Sequence, residues 1–455
     1  MSVRVSTVAT PSLDVYGYLA DDGCVALAVD PPRDVDRVLA LAGQLGVKIT
    51  HVAETHVHES HVSGGLALAR LTGAEYLVAA DDEVCFDRLP VSDGDQVSVS
   101  DAMRVRVVST PGHSLHHVSY LLDGPGGPVG VFTGGSLLFG SAGRVDLPGA
   151  GQVPAMAALQ RRSAQRLAEL LPDTARVWPG HGRGGRSVGS ASSVTESTIG
   201  RERHVNPALR FDEDAFAETL AGLDVHPAFH ADLIARNVEG AEPIDLTPTP
   251  RATARDVSAW LAAGAWVVDL RPRKAFAHRH LNGTLSLGLD GPMSTWLGRL
   301  APLGMPISLL GDHERQVADA QRELARIGIE RPAAVAVGDP DEWAGGDPHR
   351  IDELTTATFA DLQAARDRGP LRGLPAPDVV LDVRTVDEWH TGHIAGATHI
   401  PLPRLPARLD EVPRGVVWVH CSSGYRAAFA SSLLRRAGRQ VVCVDDDVAV
   451  VPRSA

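Results

Sequence analysis

Cysteine is scarce in this chain of 455 residues, which contains only four. They are far apart and none forms a Cys-x-x-Cys pair, so the sequence predicts neither a disulfide framework nor a zinc site built from cysteines. Free cysteines are commonly small buried side chains, and three of the four are expected to be of that kind: Cys24, Cys85 and Cys443. The fourth, Cys421, stands in a different sequence context.

Basic stretches and long apolar stretches are also missing. The net charge is −13 and there is no dense run of Lys or Arg, which argues against a nucleic-acid or anionic-membrane surface. No apolar run approaches the roughly 20 residues needed to span a bilayer, and residues 1–23 lack the basic-then-apolar pattern of a signal peptide. We therefore expect a cytoplasmic protein that binds neither nucleic acid nor membrane. With 44% hydrophobic and 22% charged residues, a chain of this length predicts two to four globular domains.

Two regions of different character divide the sequence. Up to about residue 245, short β-branched runs alternate with glycine-rich turns and helical stretches, and histidines fall at predicted strand ends. Beyond it, segment 267–284 reappears as 380–397, with aspartate, arginine, histidine and glycine at a constant offset of 113 residues. This repetition predicts a tandem duplication of one α/β unit. We therefore predict an α/β protein of three domains, which span residues 1–245, 246–352 and 353–455.

The second copy of the repeat contains a cysteine between a predicted strand and a predicted helix. The apolar run "GVVWVH" leads directly into "CSSGYR", residues 421–426, and then into the helical "AAFASSLLRRAG". Backbone N–H groups and the positive end of a helix dipole favour a thiolate or persulfide anion on Cys421, and Arg426 adds positive charge. The rest of the loop predicted to hold that anion consists of three small residues and one aromatic: Ser422, Ser423, Gly424 and Tyr425.

The spacing from cysteine to arginine separates two kinds of chemistry. A cysteine phosphatase uses Cys-x5-Arg to surround a phosphate, whereas four residues separate Cys421 from Arg426, a tighter loop that suits one sulfur atom. This loop, together with "LDVRTVDEWHTGHIAGATHIPL", resembles the rhodanese (sulfurtransferase) family over about residues 355–447. The resemblance implies that Cys421 is the catalytic nucleophile and that Arg426 assists it. It also implies that thiosulfate or a low-molecular-weight thiol persulfide donates the sulfur and that a thiol accepts it.

The first copy of the repeat lacks the nucleophile. Gly311 stands where a cysteine would follow the strand, and residues 246–354 contain no cysteine at all. This copy therefore cannot carry a persulfide, and we predict a rhodanese-like domain with a structural or interface role. An interface role would be compatible with a homo-oligomer.

Several segments of the first region occur in the same order as in a known superfamily. They are "THVHESH", "TPGHSLHHVSYLL", "FTGGSLLFGSAGRVDL" and "WPGHGRGG", followed by "NPALRFDEDAFAETLAGL". Together they resemble the metallo-β-lactamase superfamily, in particular its persulfide dioxygenase and glyoxalase II branch, over about residues 1–245. The resemblance implies an αββα fold for this region, followed by the two rhodanese-like domains. The whole arrangement resembles the fused persulfide dioxygenase–sulfurtransferases of bacterial sulfide metabolism.

Two carboxylates of that superfamily's metal site are absent from this sequence. The pattern His-x-His-x-Asp-His appears with Ser60 in place of the aspartate, and the family's Thr-Gly-Asp appears with Gly135 in place of the aspartate. Two divalent ions a few ångströms apart would lack the anions that offset their repulsion, so we expect no dinuclear site. The change Gly135→Asp is expected to restore an iron site of two histidines and one carboxylate with His56 and His113.

A site for one metal ion is still compatible with the remaining residues. By the family pattern, three imidazoles would hold one zinc or iron ion and leave an open position: His56, His58 and His113. His61 and His181 correspond to ligands of the second ion. Glu59 or Asp146 could supply the missing carboxylate. The alternative is a metal-free site whose histidines are hydrogen-bonded turn residues.

These observations predict a sulfur-metabolism enzyme. Cys421 would transfer sulfane sulfur as a persulfide, coupled to a persulfide dioxygenase-like first domain; in the family, such a domain oxidises a thiol persulfide to sulfite with iron and O₂. Two alternatives belong to other classes. One is a zinc-dependent thioester hydrolase of the glyoxalase II type, and the other is a rhodanese whose first domain is a non-catalytic scaffold. The metal content of protein purified without added metal would separate them.

Overall fold

The computed structural model describes residues 2–182, 196–220, 229–301, 304–371 and 373–447. Contacts between residues divide the chain into two compact units. The first comprises Met1–Ile244 with Ala325–Gly328, and the second comprises Asp245–Leu324 with Ile329–Ala455. The expected boundary at residue 352 lies inside the second unit and stays a prediction. Within the described residues, no helix is both long and apolar enough to cross a membrane.

Two six-stranded sheets form the centre of the first unit. The first sheet contains, in spatial order, β1 (Arg4–Thr10), β2 (Val15–Asp21), β3 (Val25–Val29), β4 (Lys48–Ala53), β5 (Glu75–Ala79) and β6 (Leu89–Val91). The second sheet contains β7 (Gln96–Ser100), β8 (Met103–Ser109), β9 (Val118–Gly124), β10 (Gly127–Gly134), β11 (Arg176–Pro179) and β12 (Ser197–Thr198). Neighbours from β3 to β6 are parallel, as are β10 and β11, and the other pairs are antiparallel.

Helices cover the outer faces of these two sheets. The apolar sides of α1 (Asp36–Leu45) and α2 (Gly65–Thr72) pack on the first sheet, and α3 (Val153–Leu170) packs on the second. The other α-helices in the described part of this unit are α4 (Ile199–Val205), α5 (Pro207–Arg210), α6 (Glu213–Leu220) and α7 (Phe229–Glu239).

The core of the first unit follows the two-residue period of its strands. In β3, Leu27 and Val29 join the core between the two sheets, whereas Ala26 and Ala28 join the core beneath α1 and α2. Successive side chains of a strand point to opposite faces, so a strand that is apolar on both faces belongs in a layer covered on both sides. The αββα fold expected from the sequence is therefore confirmed.

The second unit contains two parallel sheets and a short ribbon. The first sheet has the order β15 (Leu285–Ser286), β13 (Trp266–Asp269), β16 (Ile307–Gly311) and β17 (Ala334–Val337). The second has the order β19 (Thr356–Ala357), β23 (Gln440–Val444), β22 (Val416–His420), β20 (Val379–Asp382) and β21 (Thr398–His399). The antiparallel ribbon pairs β14 (His280–Leu281) with β18 (Ile351–Asp352).

Helices alternate with these strands along the chain. In the half that contains the first sheet they are α8 (Ala254–Ala262), α9 (Arg273–His278), α10 (Met293–Leu300), α11 (Glu314–Arg326) and α12 (Pro340–Ala344). In the other half they are α13 (Phe359–Arg368), α14 (Val386–His390) and α15 (Tyr425–Arg436). Parallel strands require crossover connections of this kind.

The two halves of the second unit repeat the same local contacts. Asp269, at the end of β13, accepts hydrogen bonds from the backbone and guanidinium of Arg271. Asp382, at the end of β20, accepts the same bonds from Arg384. A histidine also stacks on the aromatic ring four residues before it in each half: His280 on Phe276 and His393 on Trp389. These shared contacts support the duplication inferred from the sequence, whereas the assignment of the first copy as a rhodanese-like domain stays a prediction.

The four cysteines differ in exposure. Cys421 and Cys443 are buried, but Cys24 and Cys85 are exposed, so the prediction of burial is wrong for these two. Cys24 lies in the turn between β2 and β3, where its backbone N–H donates to the Asp22 carboxylate at 2.9 Å. Cys85 lies in the loop after β5. Turns and loops run over the surface because their backbone groups lack sheet partners, and this position outweighs the usual burial of cysteine.

Candidate functional sites

The five histidines that the sequence suggests as metal ligands follow the ends of central strands in the first unit. His56, His58 and His61 lie in the loop after β4, His113 follows β8, and His181 follows β11. The first four side chains are buried, and the Nε2 atom of His181 is buried as well. A rigid sheet thus presents these side chains from three loops toward each other, as a binding site requires.

Two neighbouring clusters of possible ligand atoms result. In the first cluster, four residues each contribute one possible ligand atom, and these atoms lie within 4.8 Å of one another: His56, Glu59, His113 and His181. The second cluster consists of Asp30, Glu54 and His58. Of the three histidines expected to share one ion, the structure therefore brings His56 and His113 together and places His58 in the second cluster. His61 belongs to neither cluster.

His58 is held by two carboxylates. Its Nε2 lies 2.9 Å from Glu54 Oε2 and 3.4 Å from Asp30 Oδ1. Burial lowers the pKa of His58, but the hydrogen bonds and charges of Asp30 and Glu54 outweigh burial and raise the pKa to about 10. While Nε2 is held by these carboxylates, binding the same ion as His56 and His113 would need the other nitrogen, Nδ1, which is buried and without a hydrogen-bond partner among the described residues. A carboxylate on one ring nitrogen strengthens the other as a ligand, so this role stays a prediction.

Hydrogen bonds set the orientation of the His56 and His113 rings. His56 Nδ1 lies 2.9 Å from Thr55 Oγ1, and the Thr55 hydroxyl donates to Asp30 at 2.8 Å. Because that hydroxyl has a single proton, the imidazole must be the donor in the first bond. His113 Nδ1 donates to the carbonyl oxygen of Arg144 at 2.8 Å. In the neutral form of both rings, Nε2 is therefore the nitrogen with a free lone pair, as a metal ligand requires.

The space beside Gly135 is already filled. A Cβ atom at this position would lie 2.7 Å from His113 Nε2 and still closer to Cδ2 and Cγ of that ring. The Gly135 N–H also donates to His117 Nε2 at 3.1 Å. An aspartate at 135 therefore cannot be added without displacing His113. The structure opposes the expectation that Gly135→Asp completes an iron site with His56 and His113, because the ring occupies the space that the new side chain needs.

Cys421 lies in the loop between β22 and α15 and is buried. The Gly424 N–H donates to Cys421 Sγ at 3.2 Å. Gly424 has a φ of 89°, which favours glycine, and a Cβ at this position would collide with the Asp445 carboxylate. Both the backbone conformation and the lack of space therefore require glycine here. The Tyr425 hydroxyl donates to the Gly288 carbonyl oxygen at 2.8 Å. The backbone of the loop is thereby fixed with one N–H directed at the sulfur.

Arg426 is held by an ion pair with Glu388. Its Nη1 and Nη2 donate to the two carboxylate oxygens of Glu388 at 2.6 and 2.7 Å, and Nη2 also donates to Ser422 Oγ at 2.7 Å. Burial raises the pKa of Glu388, but the bonds and charge of Arg426, with bonds from Thr385, outweigh it and lower the pKa to about 2. The guanidinium therefore holds the loop through Ser422, and its charge is partly neutralised by Glu388. The sequence prediction did not include this ion pair.

We expect Glu388→Gln to destabilise the protein at neutral pH by about 2 kcal/mol. The native pKa of Glu388 lies below its usual value of 4.5, so the ionised carboxylate stabilises the fold above that pH. This contribution is lost as the pH falls toward about 2. Urea unfolding of wild type and variant should therefore show a difference that shrinks below pH 4.5. Glu411→Gln, at an exposed ion pair, is the control with almost no effect. A difference that is independent of pH would contradict the assignment.

Three residues of these sites were not identified from the sequence: Asp30, Glu54 and Glu388. Each nevertheless has a local signal. Glu54 precedes His58 by four residues, Asp30 ends the apolar run "VALAVD", and Glu388 stands three residues after Thr385, in the spacing of a helix capping box. These signals place a carboxylate near a turn, but they do not show which side chain it contacts across the fold.

Comparison with protein families and curated proteins relates both units to known groups. Residues 358–449 match the model of the family described as "Rhodanese-like domain". Over 201 residues the chain is 31% identical to a hydroxyacylglutathione hydrolase of Methylobacillus flagellatus, which covers 43% of this chain and 74% of that protein. It is 27% identical to the hydroxyacylglutathione hydrolase-like protein of Mus musculus, over 57% of this chain and 97% of the mouse protein. The match to the hydrolase of Nitrosococcus oceani, at 34% identity, spans only 57% of that relative.

A solved structure extends the similarity over most of the chain. The crystal structure of a metallo-β-lactamase from Staphylococcus aureus subsp. aureus COL has a TM-score of 0.65 and 27% sequence identity. The match covers 74% of this chain and 100% of that one. The likeness therefore includes more than the first unit alone.

Proposed function

Since this chain belongs to the metallo-β-lactamase-fold family that includes the hydroxyacylglutathione hydrolases, and carries a rhodanese-like domain at its carboxyl end, we propose that it is a sulfur-metabolism enzyme. Its sulfurtransferase step would use a persulfide on Cys421. The observation that carries this proposal is the loop geometry: a buried cysteine between a strand and a helix, with a backbone N–H at 3.2 Å from the sulfur.

The proposed transfer has two balanced steps. In the first, the Cys421 thiolate attacks the outer sulfur of thiosulfate or of a thiol persulfide. The S–S bond of the donor breaks, and sulfite or the thiolate leaves with the electron pair. In the second, an acceptor thiolate attacks the outer sulfur of the Cys421 persulfide, and the Cys421 thiolate is regenerated. The pair of steps consumes no external oxidant or reductant.

For the first unit we propose one zinc or iron ion and a reaction of a thiol derivative. The residues fit a metal ion, because His56 and His113 each hold Nδ1 in a hydrogen bond and leave Nε2 buried and without a hydrogen-bond partner among the described residues. A bound ion would supply Lewis acidity or redox chemistry there. The protein's own contribution is to orient the two rings through Thr55, Asp30 and the Arg144 carbonyl and to exclude water around them.

The transfer step can be tested by following the transferred sulfur atom. We expect full-length protein treated with thiosulfate to carry one added sulfur atom on the peptide that contains Cys421, as measured by mass spectrometry. Addition of cyanide or a small thiol should remove that mass and release thiocyanate or a persulfide. Sulfur found on the exposed Cys24 or Cys85 peptides, with none on Cys421, would contradict the proposal.

A second candidate for the first unit is thioester hydrolysis of the glyoxalase II type. The similarity to hydroxyacylglutathione hydrolases, at 31% identity over 74% of the Methylobacillus flagellatus protein, favours it. Against it stand Ser60 and Gly135, which replace two carboxylates of the dinuclear pattern. The two reactions are separated by assaying metal-loaded protein with a glutathione thioester and with glutathione persulfide, since only the second reaction consumes O₂.

A further inference from the structure

Four buried ligand atoms in the first unit point into one small space. His56, Glu59, His113 and His181 each offer one ligand atom, and these atoms all lie within 4.8 Å of one another. Nε2 of the three histidines and Oε2 of Glu59 are buried and have no hydrogen-bond partner among the residues that the structure describes. A buried polar atom without a partner is costly because it has lost its hydrogen bonds to water, so four of them in one place call for a ligand that satisfies all four.

The spacing of these atoms fits a metal ion. Glu59 Oε2 lies 3.6 Å from His56 Nε2 and 3.5 Å from His113 Nε2. Two ligands at about 2.1 Å from a zinc ion, separated by the tetrahedral angle, lie about 3.4 Å apart. The distances are thus close to those of ligands around one ion and longer than a normal hydrogen bond.

The family's carboxylate position cannot contribute to this site. Gly135 has no side chain, and a Cβ there would overlap the ring of His113. Asp146, the other carboxylate considered from the sequence, accepts two hydrogen bonds from Arg144 at 2.7 Å each. Glu59 is therefore the carboxylate that the structure brings to His56 and His113.

We infer that Glu59 replaces the missing aspartate and binds one divalent transition-metal ion together with His56, His113 and His181. This ligand set differs from the expected His56, His58 and His113, and it makes the single-ion site complete rather than deficient in carboxylate. His58, fixed by Glu54 and Asp30, is left outside the set. The inference rests on the part of the proposed function that gives the first unit a metal ion, and it is independent of Cys421.

The test measures metal binding to the metal-free full-length protein. We expect wild type to bind about one Zn²⁺ or Fe²⁺ per chain, the latter without oxygen, and Zn²⁺ to raise its melting temperature. Glu59→Gln keeps the side-chain size but removes the charge, and it should weaken Zn²⁺ binding at least about 100-fold and abolish the rise in melting temperature. Glu59→Asp, a shorter carboxylate, should bind Zn²⁺ with intermediate affinity and serves if the glutamine variant fails to fold. Glu83→Gln, at an exposed glutamate of the same unit, is the control and should behave like wild type.

Three results would overturn the inference. Wild-type protein that binds neither Zn²⁺ nor Fe²⁺ would remove both this inference and the proposed metal ion of the first unit. Wild type that binds one ion, with Glu59→Gln binding it equally well, would overturn the role of Glu59 and leave the proposed metal ion standing. Loss of binding in Asp146→Asn but not in Glu59→Gln would assign the carboxylate to Asp146 instead.

Discussion

Replacing Cys421 with serine should reduce sulfur transfer from thiosulfate to cyanide by at least about 1000-fold. A serine hydroxyl is not ionised at neutral pH and cannot form the persulfide that both proposed steps need. The hydroxyl is close in size to the thiol and can accept the hydrogen bond that the Gly424 N–H donates to Cys421 Sγ. The loop and the fold should therefore be retained, and the loss is one of chemistry. Thiocyanate formation at saturating thiosulfate measures it.

Cys443→Ala is the matched control for this variant. Cys443 is also buried, and it lies on β23 directly beside the strand that leads into Cys421. Burial raises the pKa of the Cys443 thiol, so this thiol stays neutral and is a poor nucleophile. We expect it to keep activity within about threefold of wild type, since the change removes only one buried atom. If activity persisted in Cys421→Ser and disappeared in Cys443→Ala, Cys443 rather than Cys421 would be the nucleophile.

The fold could be predicted from a family resemblance in the first unit and from an internal repeat in the second. The αββα fold of the first unit was implied by the family resemblance of its histidine segments, and the structure shows Leu27 and Ala28 of β3 in two different cores, as a sheet covered on both sides requires. The repeated Asp-x-Arg motif predicted a duplicated unit, and Asp269 and Asp382 make the same contacts in both halves. The exposure of Cys24 could not be predicted from residue type, because it depends on a turn whose position is set by the two strands around it.

The cluster of His56, Glu59, His113 and His181 could be predicted only in part from the sequence. His56 and His113 are candidate ligands by the family pattern, and the structure brings them together with Glu59 and His181. Glu59 could be suspected but not chosen over Asp146, because the choice depends on where Arg144 lies, and Arg144 binds Asp146. The space at position 135 could not be predicted for a similar reason. A glycine in the sequence shows that a side chain is missing, but only the structure shows that the His113 ring already fills the space.

Gly135→Asp should therefore destabilise the first unit by about 3 kcal/mol and weaken metal binding rather than restore it. The new Cβ would lie 2.7 Å from His113 Nε2 and closer to the ring carbons, so either the ring or the β10 end must move. The His113 ring is held by a hydrogen bond from Nδ1 to the Arg144 carbonyl oxygen, and the Gly135 N–H donates a hydrogen bond to His117 Nε2. Movement of the ring breaks the first hydrogen bond, and movement of the backbone at Gly135 breaks the second. Gly126→Asp is the control, because a Cβ there meets nothing within 4 Å and its turn faces open space. Urea unfolding and Zn²⁺ per chain measure both effects. A Gly135→Asp protein as stable as wild type, with Zn²⁺ held more tightly, would mean that the His113 ring moves aside and that position 135, not Glu59, provides the carboxylate.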